Sequence, residues 1–193
     1  MPDDVCVRFE NVCKSFGSKV VLDGLTLDVK RGETLVLMGP SGTGKSVTLR
    51  HVIGLLKQNS GDVWVEGHDM ARITPHELFE LRKRMGYLFQ EGALINWMNV
   101  ADNVALPLVE NSTLSRSEID DRVREKLKLV HLDGVWDEMP EEISGGMKKR
   151  VGLARALVTE PELILYDEPN AGLDPEISQS INELIREVAD TLK

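Results

Sequence analysis

Eight residues in the first quarter of the chain, Gly-Pro-Ser-Gly-Thr-Gly-Lys-Ser at positions 39–46, constrain its fold more than any other segment. Three glycines allow backbone conformations that a Cβ atom would block, so several N–H groups can face one anion. The apolar run at 34–38 predicts a buried strand, and residues 47–53 predict a helix whose N-terminus adds to the anion site. The segment therefore predicts an α/β fold with a phosphate-binding loop.

This loop matches the pattern G-x-x-x-x-G-K-[ST] at every defined position. We expect Lys45 to reach the β- and γ-phosphates of a nucleotide, and the Ser46 hydroxyl to ligate Mg²⁺. Lys45 is thus also a candidate catalytic residue. The predicted nucleotide-binding residues in this segment are Gly39, Pro40, Ser41, Gly42, Thr43, Gly44, Lys45, Ser46 and Val47.

A second segment, Leu-Ile-Leu-Tyr-Asp-Glu at 163–168, predicts a core strand of a parallel sheet that ends in two carboxylates. Asp167 would then hold the Mg²⁺ shell, and Glu168 would act as the base or orienter of an attacking water. Two acids at a strand end could also be solvated turn residues. The complete phosphate loop favours the catalytic interpretation.

Composition agrees with a folded domain that does not cross a membrane. The 193 residues are 41% hydrophobic, enough for a core. The longest stretch without a charged residue is the eleven at 34–44, which include three glycines. A membrane helix needs roughly 20 apolar residues, so none is predicted.

The net charge of −9 is concentrated at one end, since residues 160–193 hold 2 basic and 9 acidic side chains. This balance argues against a nucleic-acid groove there. A basic run, Lys148, Lys149 and Arg150, lies on a predicted helix. We interpret it as helix surface first and as contact residues second.

The predicted elements begin and end with βαβ-like segments and have a helical middle. Strands are predicted at 5–12, 20–29, 34–38, 61–67, 85–89 and 163–166, and helices at 47–53, from Pro75, at 100–109, 115–130 and 145–158, and after Pro175. Ser115 and Glu118 predict a capping box. The last helix has a 3.6-residue apolar period at Ile177, Ile181, Leu184, Ile185, Val188 and Leu192.

The ordered motifs resemble those of the ATPase subunits of ABC transporters over essentially the whole chain. They are Phe16, the loop 39–46, Gln90, Ile-Ser-Gly-Gly-Met at 143–147, Tyr-Asp-Glu-Pro at 166–169 and Ala-Gly-Leu-Asp at 171–174. Residues 82–94 and 98–108 are most similar to the MlaF-type branch, which energises Mla/Mce-type phospholipid transport in the bacterial envelope. Met147, where most ABC signatures carry Gln, points the same way.

The resemblance implies a P-loop NTPase fold. A RecA-like parallel sheet core with N-terminal antiparallel strands would comprise residues 1–90 and 157–193, and a helical subdomain would be inserted at 91–156. It also implies that Phe16 stacks on adenine. Gln90 would touch Mg²⁺ or the attacking water and relay to a membrane subunit.

Ser144, Gly145 and Gly146 would, by the same resemblance, bind the γ-phosphate held by another protomer, and Asp174 would lie across the dimer interface. Backbone N–H groups at the start of the following helix could form this second anion site. One triphosphate between two such sites joins two copies head to tail, and symmetry then gives a closed dimer with two identical sites.

Plainer interpretations of these residues stay open at this stage. Phe16 could be a core aromatic, Gln90 a surface residue, and the Ser-Gly-Gly segment only a helix N-cap. The apolar segment 93–98 could receive a helix of a transmembrane partner, or it could be part of the core of the helical subdomain.

The sequence departs from the family pattern in one respect. ABC ATPases carry a His on a strand about 30 residues beyond the Asp174 motif, and none of His51, His68, His76 and His131 occupies that position. The last residue, Lys193, comes 19 residues after Asp174. We therefore expect this chain to be a fragment that keeps its nucleotide contacts but hydrolyses ATP poorly.

The predicted function is that of the ATPase subunit of a lipid transporter, with ATP and Mg²⁺ as cofactors. Its expected partners are a second copy and a transmembrane permease, but no nucleic acid, which would place it peripherally on the cytoplasmic face of the inner membrane. Another ABC importer or a lipoprotein-release system is the alternative among transporters. A soluble ABC-type ATPase or a P-loop kinase is a second class, and in a kinase the Ser-Gly-Gly segment would have no role.

Overall fold

The computed structural model describes residues 4–90 and 92–191. These form two compact units, one up to Arg82 and one from Lys83 on. Leu192, the last apolar position predicted for the final helix, lies outside the described residues. Within the described ranges, no helix is long and apolar enough to cross a membrane.

The first unit is built on an antiparallel sheet. Its elements are β1 (Val5–Phe16), β2 (Lys19–Lys30), α1 (Lys45–Val52), β3 (Ser60–Val65), β4 (His68–Asp69) and α2 (Pro75–Lys83), whose last residue is the first of the second unit. The strands lie in the order β2-β1-β3-β4. Val7 faces Val65 and Phe9 faces Val63 across the β1–β3 ladder, and all four side chains are buried. This alternation of inward apolar residues fixes the register of the sheet.

The second unit combines a parallel strand pair with helices. It contains β5 (Met85–Leu88), α3 (Val100–Asn111), α4 (Arg116–Leu129), a 3₁₀ turn (Pro140–Glu142), α5 (Gly145–Leu157), β6 (Leu163–Tyr166) and α6 (Pro175–Thr191). Residues of α3, α4, α5 and α6 form one apolar core together with Leu88 of β5. β5 and β6 pair in parallel, with Met85 opposite Leu163 and Leu88 opposite Tyr166.

Most predicted elements are confirmed, but the predicted strand at 34–38 is wrong. Residues 33–39 have no regular secondary structure. Leu35, Val36 and Met38 are 42%, 68% and 89% exposed. A strand needs a hydrogen-bonded neighbour as well as apolar side chains, and the described residues supply none to this run. The phosphate loop therefore follows an irregular segment and leads into a helix.

Candidate functional site

The phosphate loop is an exposed segment that turns into α1. Gly42 and Gly44 have φ angles of 84° and 98°, in the left-handed region that glycine adopts without strain. Gly44 is the N-cap of α1, no side chain caps the helix, and its first turn has no acidic residue. The N-terminal N–H groups of α1 therefore meet no carboxylate from that turn, as an anion site requires.

Lys45 folds back over this loop. Its Nζ donates to the carbonyl oxygens of Gly39, at 2.9 Å, and Pro40, at 3.0 Å. Thr43 Oγ1 donates to the same Pro40 carbonyl at 2.9 Å. These bonds hold a positive charge within the loop, beside its backbone N–H groups.

Two glycines of the loop have opposite surroundings. A Cβ atom on Gly44 would lie 2.8 Å from Leu22 Cδ2 and 3.1 Å from the Val21 carbonyl oxygen of β2, whereas one on Gly42 would meet nothing within 4 Å. The loop is thus packed against β2 at Gly44 and open at Gly42. Open space beside uncapped N–H groups and an ammonium fits a bound phosphate chain.

Phe16 lies at the end of β1, opposite Lys19 of β2. Its side chain is 48% exposed, and Lys14 Nζ is 5.3 Å from the ring centroid. The alternative that Phe16 is a core aromatic is therefore wrong. Stacking on adenine stays a prediction that an exposed ring permits.

Asp167 ends the parallel strand pair of the second unit. Its backbone N–H donates to the Leu88 carbonyl at 2.9 Å, which continues the β5–β6 ladder by one residue. Its Oδ2 accepts a hydrogen bond from Tyr87 Oη at 2.9 Å, and the residue is 6% exposed. Asp167 is therefore not a solvated turn residue. Burial and the tyrosine bond fix the direction of its carboxylate.

Glu168 follows in a left-handed conformation, with a φ of 48°. Its side chain is half-buried. A non-glycine residue in this region is strained, and such strain is concentrated at functional sites. Gln90, two residues after β5, is exposed. An exposed side chain is compatible with the predicted contact to Mg²⁺ or the attacking water, and equally with a plain surface residue.

The Ser-Gly-Gly segment begins α5. Ser144 is the N-cap, and its Oγ accepts a hydrogen bond from the Met147 N–H at 3.3 Å. A Cβ atom on Gly146 would lie 2.8 Å from Ile177 Cγ2, whereas one on Gly145 would have only Leu173 Cδ2 within 4 Å, at 3.8 Å. The N-cap is confirmed, and Gly145 faces open space. Binding of a γ-phosphate here stays a prediction.

Asp174 has a local role that the sequence reasoning did not assign. Its Oδ1 accepts a hydrogen bond from the Ile177 N–H at 2.9 Å, so it caps α6. It is also exposed, and its position across a dimer interface stays a prediction.

The segment 93–98 is partly packed on the core and partly exposed, and its contact with a transmembrane partner stays a prediction. Leu94 packs against the helical core. The backbone of Ile95 is held by the buried Asn103 amide, which accepts from its N–H at 2.7 Å and donates to its carbonyl at 3.1 Å. Trp97, by contrast, is 81% exposed. Leu94 therefore packs on the core of the helical part, whereas Trp97 faces solvent.

The predicted site residues are divided between the two units. Phe16 and the phosphate loop belong to the first, and Gln90, Asp167, Glu168, Asp174 and the Ser-Gly-Gly segment to the second. A shared Mg²⁺ site formed by Ser46, Gln90 and Asp167 therefore stays a proposal. Among residues 4–90 and 92–191, no group of three or more His, Cys, Asp or Glu side chains is placed to hold a metal ion.

Sequence reasoning missed three residues that support this site. Tyr87 holds Asp167, and two cations of α5, the buried Lys149 and the half-buried Arg155, bond to loop carbonyls. Our interpretation of Lys149 as helix surface is wrong, because it is 4% exposed. The helical period could have indicated this, since Lys149 shares a face with Gly146 and Leu153, both buried.

A family model described as ABC transporter matches residues 22–171. This chain belongs to the ABC transporter family. It is 48% identical to the probable ribonucleotide transport ATP-binding protein mkl of Mycobacterium leprae, over 97% of this chain and 54% of that protein. It is 41% identical to the intermembrane phospholipid transport system ATP-binding protein MlaF of Haemophilus influenzae, over 96% of this chain and 70% of that protein.

Other ABC proteins match this ABC chain as well. The methionine import ATP-binding protein MetN of Rhizobium johnstonii is 43% identical over 94% of this chain and 50% of that protein. The dimeric post-hydrolysis structure of the ATP-binding cassette MJ0796, bound to ADP and Pi, has a TM-score of 0.85 and 32% identity, covering 96% of this chain and 83% of that one. The ABC chain spans about half the length of several curated relatives.

Proposed function

We propose that this chain is the ATP-binding and ATP-hydrolysing subunit of an ABC transporter that drives phospholipid transport across the bacterial envelope. The observation that carries the nucleotide-binding part of the proposal is the phosphate loop, and the 41% identity to an intermembrane phospholipid transport ATP-binding protein supports the lipid assignment. The loop has an uncapped helix N-terminus, an ammonium fixed on its own carbonyls, and open space at Gly42. Such a loop binds a polyphosphate by backbone N–H groups and one lysine.

In this proposal the predicted site residues take the following roles. Lys45 neutralises charge on the β- and γ-phosphates, and Phe16 offers its exposed ring to adenine. Ser46, Gln90 and Asp167 would hold Mg²⁺, whose chemistry is to neutralise phosphate charge during transfer. Tyr87 keeps Asp167 oriented, and Glu168 accepts a proton from the attacking water.

We further propose that two copies bind ATP between them. The start of α5 supports this, because the N–H groups of Gly145 and Gly146 precede the first i→i−4 bond of the helix and Gly145 is open to approach, although Ser144 Oγ already accepts from the Met147 N–H. The Ser-Gly-Gly segment of one copy would then face the phosphates held by its partner. A RecA-like core of residues 1–90 and 157–193, with a helical subdomain at 91–156, is the division we propose.

The proposed location is peripheral, on the cytoplasmic face of the inner membrane and bound to a transmembrane permease. The solvent-facing Trp97 supports such an attachment, because exposed tryptophans are enriched at protein interfaces. Co-purification of the protein from membranes with a multi-span partner, and identification of the lipids bound to that complex, would test the transport assignment.

A second candidate function is import of a small solute such as an amino acid. The 43% identity to a methionine import protein favours it. The two candidates share the nucleotide chemistry and differ in the permease. A purified complex that binds methionine but no phospholipid would therefore favour import.

Nucleotide binding is tested by the effect of Mg-ATP on thermal stability. At 100 times the dissociation constant, a ligand that binds only the folded state stabilises it by about 2.7 kcal/mol. Lys45→Ala removes a charged donor, and such bonds contribute about 1.5–3 kcal/mol, so we expect affinity to fall roughly 10- to 100-fold.

Arg50→Ala is the matched control, because Arg50 is an exposed cation on the same helix. It should leave the ATP-induced shift unchanged. Equal shifts in wild type and Lys45→Ala would contradict the proposed phosphate site.

A further inference from the structure

Helix α5 carries two cations that point away from its own surface and into neighbouring loops. Lys149 is 4% exposed and Arg155 is half-buried, and this partial burial lowers the pKa of the Arg155 guanidinium. They are six residues apart, so at 100° per residue they leave the helix about 120° apart. Each therefore reaches a different loop.

Lys149 reaches the acidic turn, which we define as residues 167–171. Its Nζ donates to the Ala171 carbonyl at 2.8 Å and to the Glu168 carbonyl at 3.4 Å. The same Glu168 carbonyl accepts from the Ala171 N–H at 3.1 Å. One ammonium thus binds both ends of the turn that presents Glu168.

Arg155 reaches the glutamine loop, which we define as Gln90 and residues 92–94. Its two terminal nitrogens donate to successive carbonyls, to Ala93 at 2.9 Å and to Gly92 at 2.6 Å. A Cβ atom on Gly92 would lie 2.7 Å from the Lys148 carbonyl. The loop backbone therefore rests directly on α5, and the guanidinium holds it there.

Both loops contain a strained residue, which explains why they need external donors. Glu168 and Ala93 have φ angles of 48° and 46°. A residue with a Cβ pays a conformational penalty in this region, so the conformation persists only where its surroundings hold it. Three of the four carbonyls that accept from the two cations belong to Glu168, Ala93 or the adjacent Gly92.

We propose that Lys149 and Arg155 are positioning residues that fix the acidic turn and the glutamine loop to α5. The Ser-Gly-Gly segment at the start of α5, Gln90 and Glu168 then move as one rigid body. The role of this rigid body would be to place these groups together around a nucleotide, and that role rests on the proposed function. The attachment itself does not require nucleotide.

Hydrogen exchange of the nucleotide-free chain, measured by mass spectrometry, tests this attachment. Lys149→Met keeps the length of the side chain and removes its donors, so amides at 167–172 should exchange at least about tenfold faster. Arg155→Met should have the same effect at 92–95. Amides of α3 and α4 should keep their wild-type rates, and Lys149→Arg should restore protection of the turn.

Two control variants separate attachment from general loss of stability. Lys148→Met removes the neighbouring cation, which is half-buried, and should change neither loop. Arg150→Met removes a cation that bonds to the Val130 carbonyl and to Ser180 Oγ, so it should affect those contacts only. If Lys149→Met does not fold, Lys149→Gln, which reaches less far, should still raise exchange at 167–172.

Wild-type exchange at 167–172 in Lys149→Met, or in Lys149→Gln where that variant replaces it, would overturn the proposal, as would equal acceleration throughout α3 and α4. Steady-state kinetics add a second measurement, in which Lys149→Met should lower kcat at least about tenfold and leave the KM for ATP near the wild-type value. Failure of the wild-type chain to bind ATP would contradict the proposed function, and the exchange result would still decide on the attachment.

Discussion

At the scale of single residues, the molecule places unusual side chains where backbone geometry is most constrained. Gly44 has a left-handed φ and no room for a Cβ atom against β2. Tyr87 and Lys149 give hydrogen bonds to groups that flank or form the acidic turn. In each case a single contact, or the absence of a Cβ atom, helps to hold the conformation of a loop.

His51 of α1 is the residue for which we predict a pH effect on stability. It is fully buried, and its Nδ1 lies 2.7 Å from the Val47 carbonyl. Burial lowers the pKa of its imidazole, the bond to Val47 partly offsets this, and the charge of Lys14 lowers it further. The folded state therefore binds the proton more weakly than the unfolded state does.

Above about pH 6.5, the ordinary pKa of histidine, His51 should not reduce the free energy of unfolding. Below this pH the unfolded state binds a proton that the folded state binds more weakly, so the free energy of unfolding should fall. His51→Asn keeps a donor near the Val47 carbonyl and does not titrate. Urea unfolding between pH 7.5 and 5 should show a shallower loss for His51→Asn than for wild type. Parallel curves would contradict this role of the imidazole.

At the scale of elements, local sequence signals are strongest at helix starts. Ser115 Oγ accepts from the Glu118 N–H at 3.4 Å, and Glu118 accepts from the Ser115 N–H at 2.7 Å, which is the predicted capping box. The same arrangement joins Thr74 and Glu77 before α2. Each glutamate carboxylate also accepts a hydrogen bond from the hydroxyl of its capping residue, Ser115 or Thr74. This bond, and after it the bond from the capping residue's N–H, lowers the pKa of the glutamate carboxyl.

Removing the side-chain cap at the start of α4 should lower the free energy of unfolding. We expect Ser115→Ala to lower the free energy of unfolding by about 1 kcal/mol, the typical effect of such a substitution. Ser117→Ala is the matched control, since Ser117 is exposed inside the same helix and alanine is the better helix former. Chemical denaturation should show a loss for Ser115→Ala alone, and equal midpoints would contradict the role of the cap.

The sequence predicted these elements well because the relevant contacts are local. The boundaries of α4, α5 and β6 agree within one residue with the predicted ranges. The run at 34–38 failed because an apolar stretch carries β propensity but does not specify the neighbour that completes its ladder. Lys149 was misread because three adjacent basic residues look alike in sequence, and only the helical phase tells which of them is buried.

The site itself was predictable as a set of residues but not as an arrangement. Glycine spacing identified the phosphate loop, and the strand ending in Asp167 was recognised from its apolar run. Tyr87 and Arg155 carried no signal of their own. Their partners are separated from them by 80 and by 62 to 63 residues along the chain.

At the scale of the whole molecule, the central claim is that each copy holds ATP from one side and needs a second copy to hold it from the other. Gly145 allows this claim to be tested, because its surroundings are open enough for a side chain. The positive end of the α5 helix dipole would stabilise an aspartate at this position. The aspartate would also repel the phosphates offered by a partner.

Sedimentation velocity with Mg-ATP is the most direct measurement of this claim. It would use Glu168→Gln, which should keep ATP intact, alone and combined with Gly145→Asp or the control Gly145→Ala. We expect Glu168→Gln and its Gly145→Ala combination to sediment as dimers with ATP and as monomers without it, whereas the Gly145→Asp combination binds ATP and stays monomeric. Dimers that form without ATP, or a Gly145→Asp combination that dimerises as readily as the control, would contradict the account.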